Sequence, residues 1–104
     1  MIVELRTYTL HPGKMPEFLR VYTAEGLEPQ TRILGNLLGY YSTEAGTLNQ
    51  FVHLWGYESF EDRLKRRALL LQDAGWRSYL EQVMPLIQLQ ESKILLPTAF
   101  SPVR

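Results

Sequence analysis

The sequence predicts an α+β domain with the element order β-α-β-β-α-β, and three observations carry that reading. Its hydrophobic pattern changes between a period of two and a period near 3.6 in that order. Turn-forming residues punctuate each change, at His11-Pro-Gly13, Gly35-Asn36, Gly46 and Pro85. The third extended segment, Gln50–Tyr57, places Phe51, His53, Trp55 and Tyr57 at alternate positions, so these four side chains share one face of a sheet.

Taken in order, Ile2–Leu10 is rich in β-branched and aromatic residues and reads as the first strand. Pro16 then falls where the first turn of a helix tolerates proline. Met15, Phe18, Leu19 and Tyr22 follow at i, i+3, i+4 and i+7, an amphipathic helix. Gly26 and Pro29 interrupt a pattern that otherwise continues to Leu34, so the sequence leaves the end of this helix open. Leu37–Thr43 is the second strand, and Glu44–Asn49 is a loop ahead of the third. Ser59 with Asp62 three positions on resembles a capping box, with aspartate replacing the usual glutamate or glutamine. Phe60, Leu64, Ala68 and Leu71 repeat at helical spacing. After Asp73-Ala-Gly75, Trp76, Tyr79, Leu80, Val83 and Met84 do so again, up to Pro85. Ile87–Leu96 is the final strand, and Pro97 and Pro102 bracket an irregular tail. This order is the split βαβ arrangement of a ferredoxin-like domain with a four-stranded antiparallel sheet, here a single domain over residues 1–104.

Both faces of that sheet are apolar. Strand one sets Val3, Leu5, Thr7 and Thr9 against Glu4, Arg6, Tyr8 and Leu10, and strand three sets Val52, Leu54 and Gly56 against its aromatic set. Two helical segments cover one face only. A second sheet from an identical subunit is the expected cover for the other, which makes a two-fold homodimer.

Composition narrows the function classes. Eleven basic and eleven acidic residues give no net charge, which argues against nucleic acid or an anionic membrane as partner. The one basic cluster, Arg63-Leu-Lys-Arg-Arg67, follows Glu58, Glu61 and Asp62 and reads as a solvated helix face. The absence of cysteine removes disulfides, thiolate chemistry and cysteine-based metal sites. His11 and His53 share no ligand spacing with each other or with a carboxylate cluster, so no metal is expected. With no leader-like segment or long apolar run, a cytoplasmic location is expected.

The candidate site lies on the aromatic face. Phe51, Trp55 and Tyr57 beside an imidazole suggest a pocket wall, and His53 is the one candidate for proton transfer. Arg6 sits mid-strand, where a guanidinium needs a partner. Glu4 or Glu58 would supply a structural one, and a bound carboxylate or oxyanion a functional one. Tyr8 shares its face and Tyr40 approaches from the second strand. Trp76 and Tyr79 belong to the core or the pocket roof, and Glu44 and Asn49 to turn chemistry.

The stretch Gly39–Ser59, with Thr43-Glu44, Gly46, Asn49, His53, Trp55 and Tyr57 in this spacing, resembles the NIPSNAP family. Leu5-Arg-Thr-Tyr-Thr-Leu-His-Pro-Gly13 and Leu96-Pro-Thr-Ala-Phe-Ser-Pro102 extend the resemblance over essentially the whole chain. It implies a dimeric α+β barrel. The wider superfamily includes small antibiotic-biosynthesis-type and haem-degrading monooxygenases, in which a tryptophan near the end of strand three lines a pocket between sheet and helices. Trp55 is similarly placed. Haem-degrading members carry a pocket asparagine where this chain has Arg6. They also carry a ligating histidine shortly after the tryptophan, where this chain reads Leu64-Lys-Arg-Arg67. No haem or other cofactor is therefore expected. The function expected is binding of a small apolar or aromatic molecule in a pocket lined by Arg6, Tyr8, Tyr40, His53 and Trp55. The alternative is a cofactor-independent monooxygenase or isomerase. There Trp55 and Tyr57 would stack the substrate, His53 would take a proton, and Arg6 would stabilise the resulting anion.

Overall fold

Alternation in Ile2–Leu10 and Gln50–Tyr57 produces strands β1 and β3 over those spans, and they pair antiparallel at the centre of a four-stranded sheet. The computed structural model describes all of residues 1–104. Strand β2 (Leu37–Ser42) borders β3, and β4 (Ile87–Leu95) borders β1, giving the order β2-β3-β1-β4 with every pair antiparallel. Register puts Arg6 opposite His53, Tyr8 opposite Phe51, and Tyr40 opposite His53 from the other side. The chain is thus the α+β, ferredoxin-like fold that the element order predicts. No helix is long and apolar enough to cross a membrane.

One layer of helices covers the aromatic face. Helix α1 (Met15–Val21) does not stop at Gly26 or Pro29. It passes through one wide π turn (Tyr22–Gly26) into α2 (Leu27–Leu34), with the Leu27 N–H donating to the Tyr22 carbonyl. The extra residue in the turn lets the chain carry a proline in the next turn without ending the helix. Glycine at 26 is required by packing, because a Cβ there would lie 2.8 Å from the Tyr79 ring. The helix ends at Gly35, whose positive φ of 89° suits glycine. Ser59 caps α3 (Phe60–Gln72) by accepting from the Asp62 N–H, and Asp73 caps α4 (Ala74–Val83) by accepting from the Trp76 N–H. A 3₁₀ turn at Met84–Leu86 carries Pro85 into β4.

Helix α3 departs from the sequence reading. Phe60, Leu64 and Leu71 are each more than half exposed, and Leu70 is the buried residue. The basic cluster is not simply a solvated face: Arg63 reaches a buried carboxylate, and Arg66 donates to the Ile33 carbonyl while pairing with Asp62. The reason is Glu4. Its β1 position points it under the helix layer, where its carboxylate is completely buried and needs cations.

Arg63 supplies two bonds to that carboxylate, from Nε to Oε1 at 3.0 Å and from Nη2 to Oε2 at 2.8 Å. Arg6 adds one at 2.9 Å, and the Ser92 hydroxyl on β4 donates another at 2.6 Å. Burial alone would raise the Glu4 pKa, but the bonds from Arg63, Ser92 and Arg6 overcome it and hold the carboxyl at about 2. Since the unfolded value is about 4.5, the carboxylate's contribution is complete above pH 4.5 and is lost as pH falls toward 2. Glu4→Gln should therefore cost on the order of 3 kcal/mol in urea unfolding at pH 7, with the gap from wild type closing between pH 4.5 and pH 2. A gap that stays constant with pH would mean that the Glu4 charge does not matter.

Candidate functional site

Arg6, Tyr8, Tyr40, His53 and Trp55 all face the helix layer, and the structure divides them into two groups. Tyr8, Tyr40 and His53 border a small cavity between sheet and helices, whereas Arg6 and Trp55 stand behind them. Arg6 is a structural partner of Glu4, not Glu58. Its Nε and Nη2 both donate to the Tyr8 hydroxyl, at 3.0 and 2.9 Å. Trp55 is fully buried and donates from Nε1 to His53 Nδ1 at 2.7 Å.

That last bond settles the state of the imidazole. Indole Nε1–H is a donor only, so Nδ1 must be the acceptor and the ring's single proton sits on Nε2. Burial, reinforced by the positive charges of Arg6 and Arg67 against the opposing pull of Glu4, lowers the His53 pKa to about 3. The ring is neutral at physiological pH. It has no free lone pair with which to take a proton, and Nε2 itself is buried without a hydrogen-bond partner. Tyr57 Oη is the other buried side-chain atom in that condition, and it lies away from this cavity.

Rings build the walls. Tyr40 stacks on His53 at 4.7 Å and on Phe51 at 5.5 Å, and Tyr8 meets His53 edge-on at 5.1 Å. Helices close the other side with Tyr22 from the wide turn and with Trp76 and Tyr79 from α4. Tyr22 donates to Gln30 Oε1 at 2.5 Å. Burial raises the pKa of Tyr22, Tyr40 and Tyr79, so all three phenols stay neutral. The enclosed space is about 30 Å³, the room of a single water. A larger apolar hollow of about 410 Å³ lies on the opposite sheet face, between Val3, Leu54 and Tyr41 and the tail at Pro97 and Val103.

Tyr22 and Gln30 escaped the sequence reading, although the i, i+4 spacing from Phe18 to Tyr22 placed the tyrosine on the buried face of α1. The fixation of Tyr8 by Arg6 had a visible signal in their shared strand parity.

A family model described as NIPSNAP matches residues 3–102. The chain belongs to the NIPSNAP family. Among NIPSNAP relatives, the NipSnap homolog of Dictyostelium discoideum is 36% identical over 94 residues, covering 90% of this chain and 41% of that protein. Human NipSnap homolog 2 is 35% identical, covering 99% of this chain and 35% of its own length. The chain therefore spans well under half of these curated relatives. A NIPSNAP family protein of Agrobacterium tumefaciens is 47% identical with a TM-score of 0.97, covering 99% of this chain and 98% of its own. Another from that organism, with unknown function, is 43% identical with a TM-score of 0.97, covering 100% and 94%. A putative antibiotic biosynthesis monooxygenase from Nitrosomonas europaea superposes with a TM-score of 0.68 at 16% identity, covering 93% and 98%. At that identity it shows a shared fold alone.

Protonation of His53 is disfavoured by folding, so acid costs stability as pH falls from 6.5 toward 3. Between pH 6.5 and 4.5, above the range in which Glu4 titrates, wild-type unfolding free energy should fall by about 1.4 kcal/mol per pH unit. His53→Gln should remove most of that slope. A wild-type profile flat across this window would show that the ring is protonated in the folded protein.

Proposed function

We propose that this NIPSNAP domain binds a small aromatic molecule in the cavity at His53. The carrying observation is the His53 Nε2–H, a buried donor without a partner on a ring that borders a space walled largely by aromatic side chains. Buried polar atoms in proteins are overwhelmingly satisfied, and one left over beside a cavity marks the place of a missing partner. The site has the usual composition of a small-molecule pocket, mostly apolar with a few fixed polar groups. A benzene-sized occupant needs a cavity of about 150 Å³. Binding therefore widens this one, and the wide turn at Tyr22–Gly26 supplies a wall of the kind found at functional sites.

Catalysis of the monooxygenase or isomerase type has less support. It would need His53 as a base, and the Trp55 bond occupies the nitrogen that could serve. The fold shared with monooxygenases does not carry their chemistry.

The open sheet face favours a second element of the reading, a homodimer. Leu89 and Leu95 are exposed there beside Leu5 and Leu54. Glu91 and Lys93 lie between them on the same face of β4, and neither takes part in an ion pair within the chain.

Two measurements check these statements. At ten times its dissociation constant, a small aromatic ligand should raise the melting temperature by about 5–10 °C. No rise across a panel of benzene, indole and naphthalene derivatives at millimolar concentration would sink the cavity reading. Light scattering should give twice the 12.1 kDa chain mass, with Leu54→Glu returning the single-chain value while leaving the helical circular dichroism intact. A wild-type mass of 12.1 kDa at micromolar concentration would rule the dimer out.

A further inference from the structure

We propose that the open strip between α3 and β4 is an anion-binding site for a phosphate group, with Arg67 as its principal ligand. The site is separate from the His53 cavity and rests on a cation that the chain leaves without a counter-charge.

Helical spacing places the residue. Arg63 points down at the sheet to reach Glu4, and the turn of the helix sets Arg66 and Arg67 on either side of it. Arg66 takes the α2 side, where it donates to the Ile33 carbonyl, so Arg67 takes the other, toward the edge strand β4. There the helix layer stops short: Gln90 and Ser92, on the helix-facing side of β4 opposite Tyr8 and Arg6, are exposed. Arg67 is half-buried, enters no ion pair and donates no side-chain hydrogen bond. Its charge nonetheless lies close to the sheet, because it acts to lower the pKa of both His53 and Tyr57 beneath the helix.

The chain has no acid to give it. Glu4 is the one carboxylate that acts on His53 and Tyr57, and a carboxylate offers about four lone-pair sites. Arg63 fills two of them, and Arg6 and Ser92 fill the others. Arg6, Arg63 and Arg67 therefore set three positive charges against one negative, an excess of two. A phosphate dianion balances that excess, whereas a chloride or a monocarboxylate balances half of it. The donors suit the same group. Arg67 offers a free planar fork that matches two phosphate oxygens, and Arg63, one turn earlier on the same helix, keeps Nη1 uncommitted. The strip is open to water, so the phosphate can be the free ion or part of a small molecule.

The test titrates the intact protein with sodium phosphate, sodium acetate and sodium chloride at matched ionic strength and mildly alkaline pH. At ten times its dissociation constant, phosphate should raise the melting temperature by about 5–10 °C over chloride. Calorimetry should find phosphate bound about ten-fold or more weakly by Arg67→Gln, and less weakened by Arg67→Lys, which keeps the charge and loses the fork. In chloride Arg67→Gln should melt no lower than wild type, because it removes a like charge. Lys65→Gln, which neutralises an exposed neighbour, should bind phosphate as wild type does. In the wild-type protein, phosphate should move the Nε–H resonances of Arg67 and Arg63 and leave that of Arg77 in place, a readout that stands even where a variant does not fold. Tighter binding of glycerol phosphate than of the inorganic ion would support an organic carrier, and the reverse order would support the free ion. Equal affinity for acetate and phosphate would overturn the phosphate assignment. A response no larger than that to chloride at millimolar concentration would overturn the site. So would a loss in Lys65→Gln as large as in Arg67→Gln, or a lowered melting temperature in Arg67→Gln with phosphate binding intact.

Discussion

The buried carboxylate of Glu4 is the constraint on which the rest of this domain depends. A charge at the centre of a sheet face, completely removed from solvent, is tolerable only where cations and hydrogen-bond donors converge on it. Here the donors come from β1, β4 and α3, so one side chain ties together an inner strand, an edge strand and the helix layer. A hydrophobic replacement of the whole cluster could be as stable. Removing Glu4 is costly, because Arg6 and Arg63 then lose their buried counter-charge.

The same cluster reaches the cavity through Arg6, whose two remaining bonds hold the Tyr8 hydroxyl. On the neighbouring strand Trp55 does for His53 what Arg6 does for Tyr8, holding the ring and choosing its tautomer. Polar groups behind the wall therefore orient the polar groups in the wall. A rotamer locked in this way offers a fixed hydrogen-bond direction, which recognition of a small molecule requires. The helix side of the cavity is made differently, from aromatic packing around a wide turn, and has fewer such restraints.

The sheet uses its faces unequally. The helix-facing side carries all the buried polar chemistry, while the open side alternates aliphatic residues and threonines with one acid and one base on its edge strand. Helix α3 also turns Phe60, Leu64 and Leu71 outward, because its inward positions are taken by the arginines that Glu4 and the α2 terminus require. Electrostatic need in the interior has displaced hydrophobic residues to the surface.

The sequence by itself determined the strands, their facing pattern and the cap of α3. Each of these depends on neighbours a few positions away: alternation at Phe51, His53, Trp55 and Tyr57, and Ser59 before Asp62. It also indicated that Arg6 needs an anionic partner. Only the tertiary structure decided that Glu4 would recruit Arg63 and Ser92, which lie 59 and 88 positions away, and so turned a basic helix face inward. It also decided that α1 would run through Gly26 and Pro29, since a π turn is chosen by what it packs against, here the Tyr79 ring. The role of His53 was split between the two. Strand parity put it beside Trp55, but whether the indole reached Nδ1, and so made the imidazole a donor instead of a base, depended on side-chain rotamers that packing selects and local pattern does not encode.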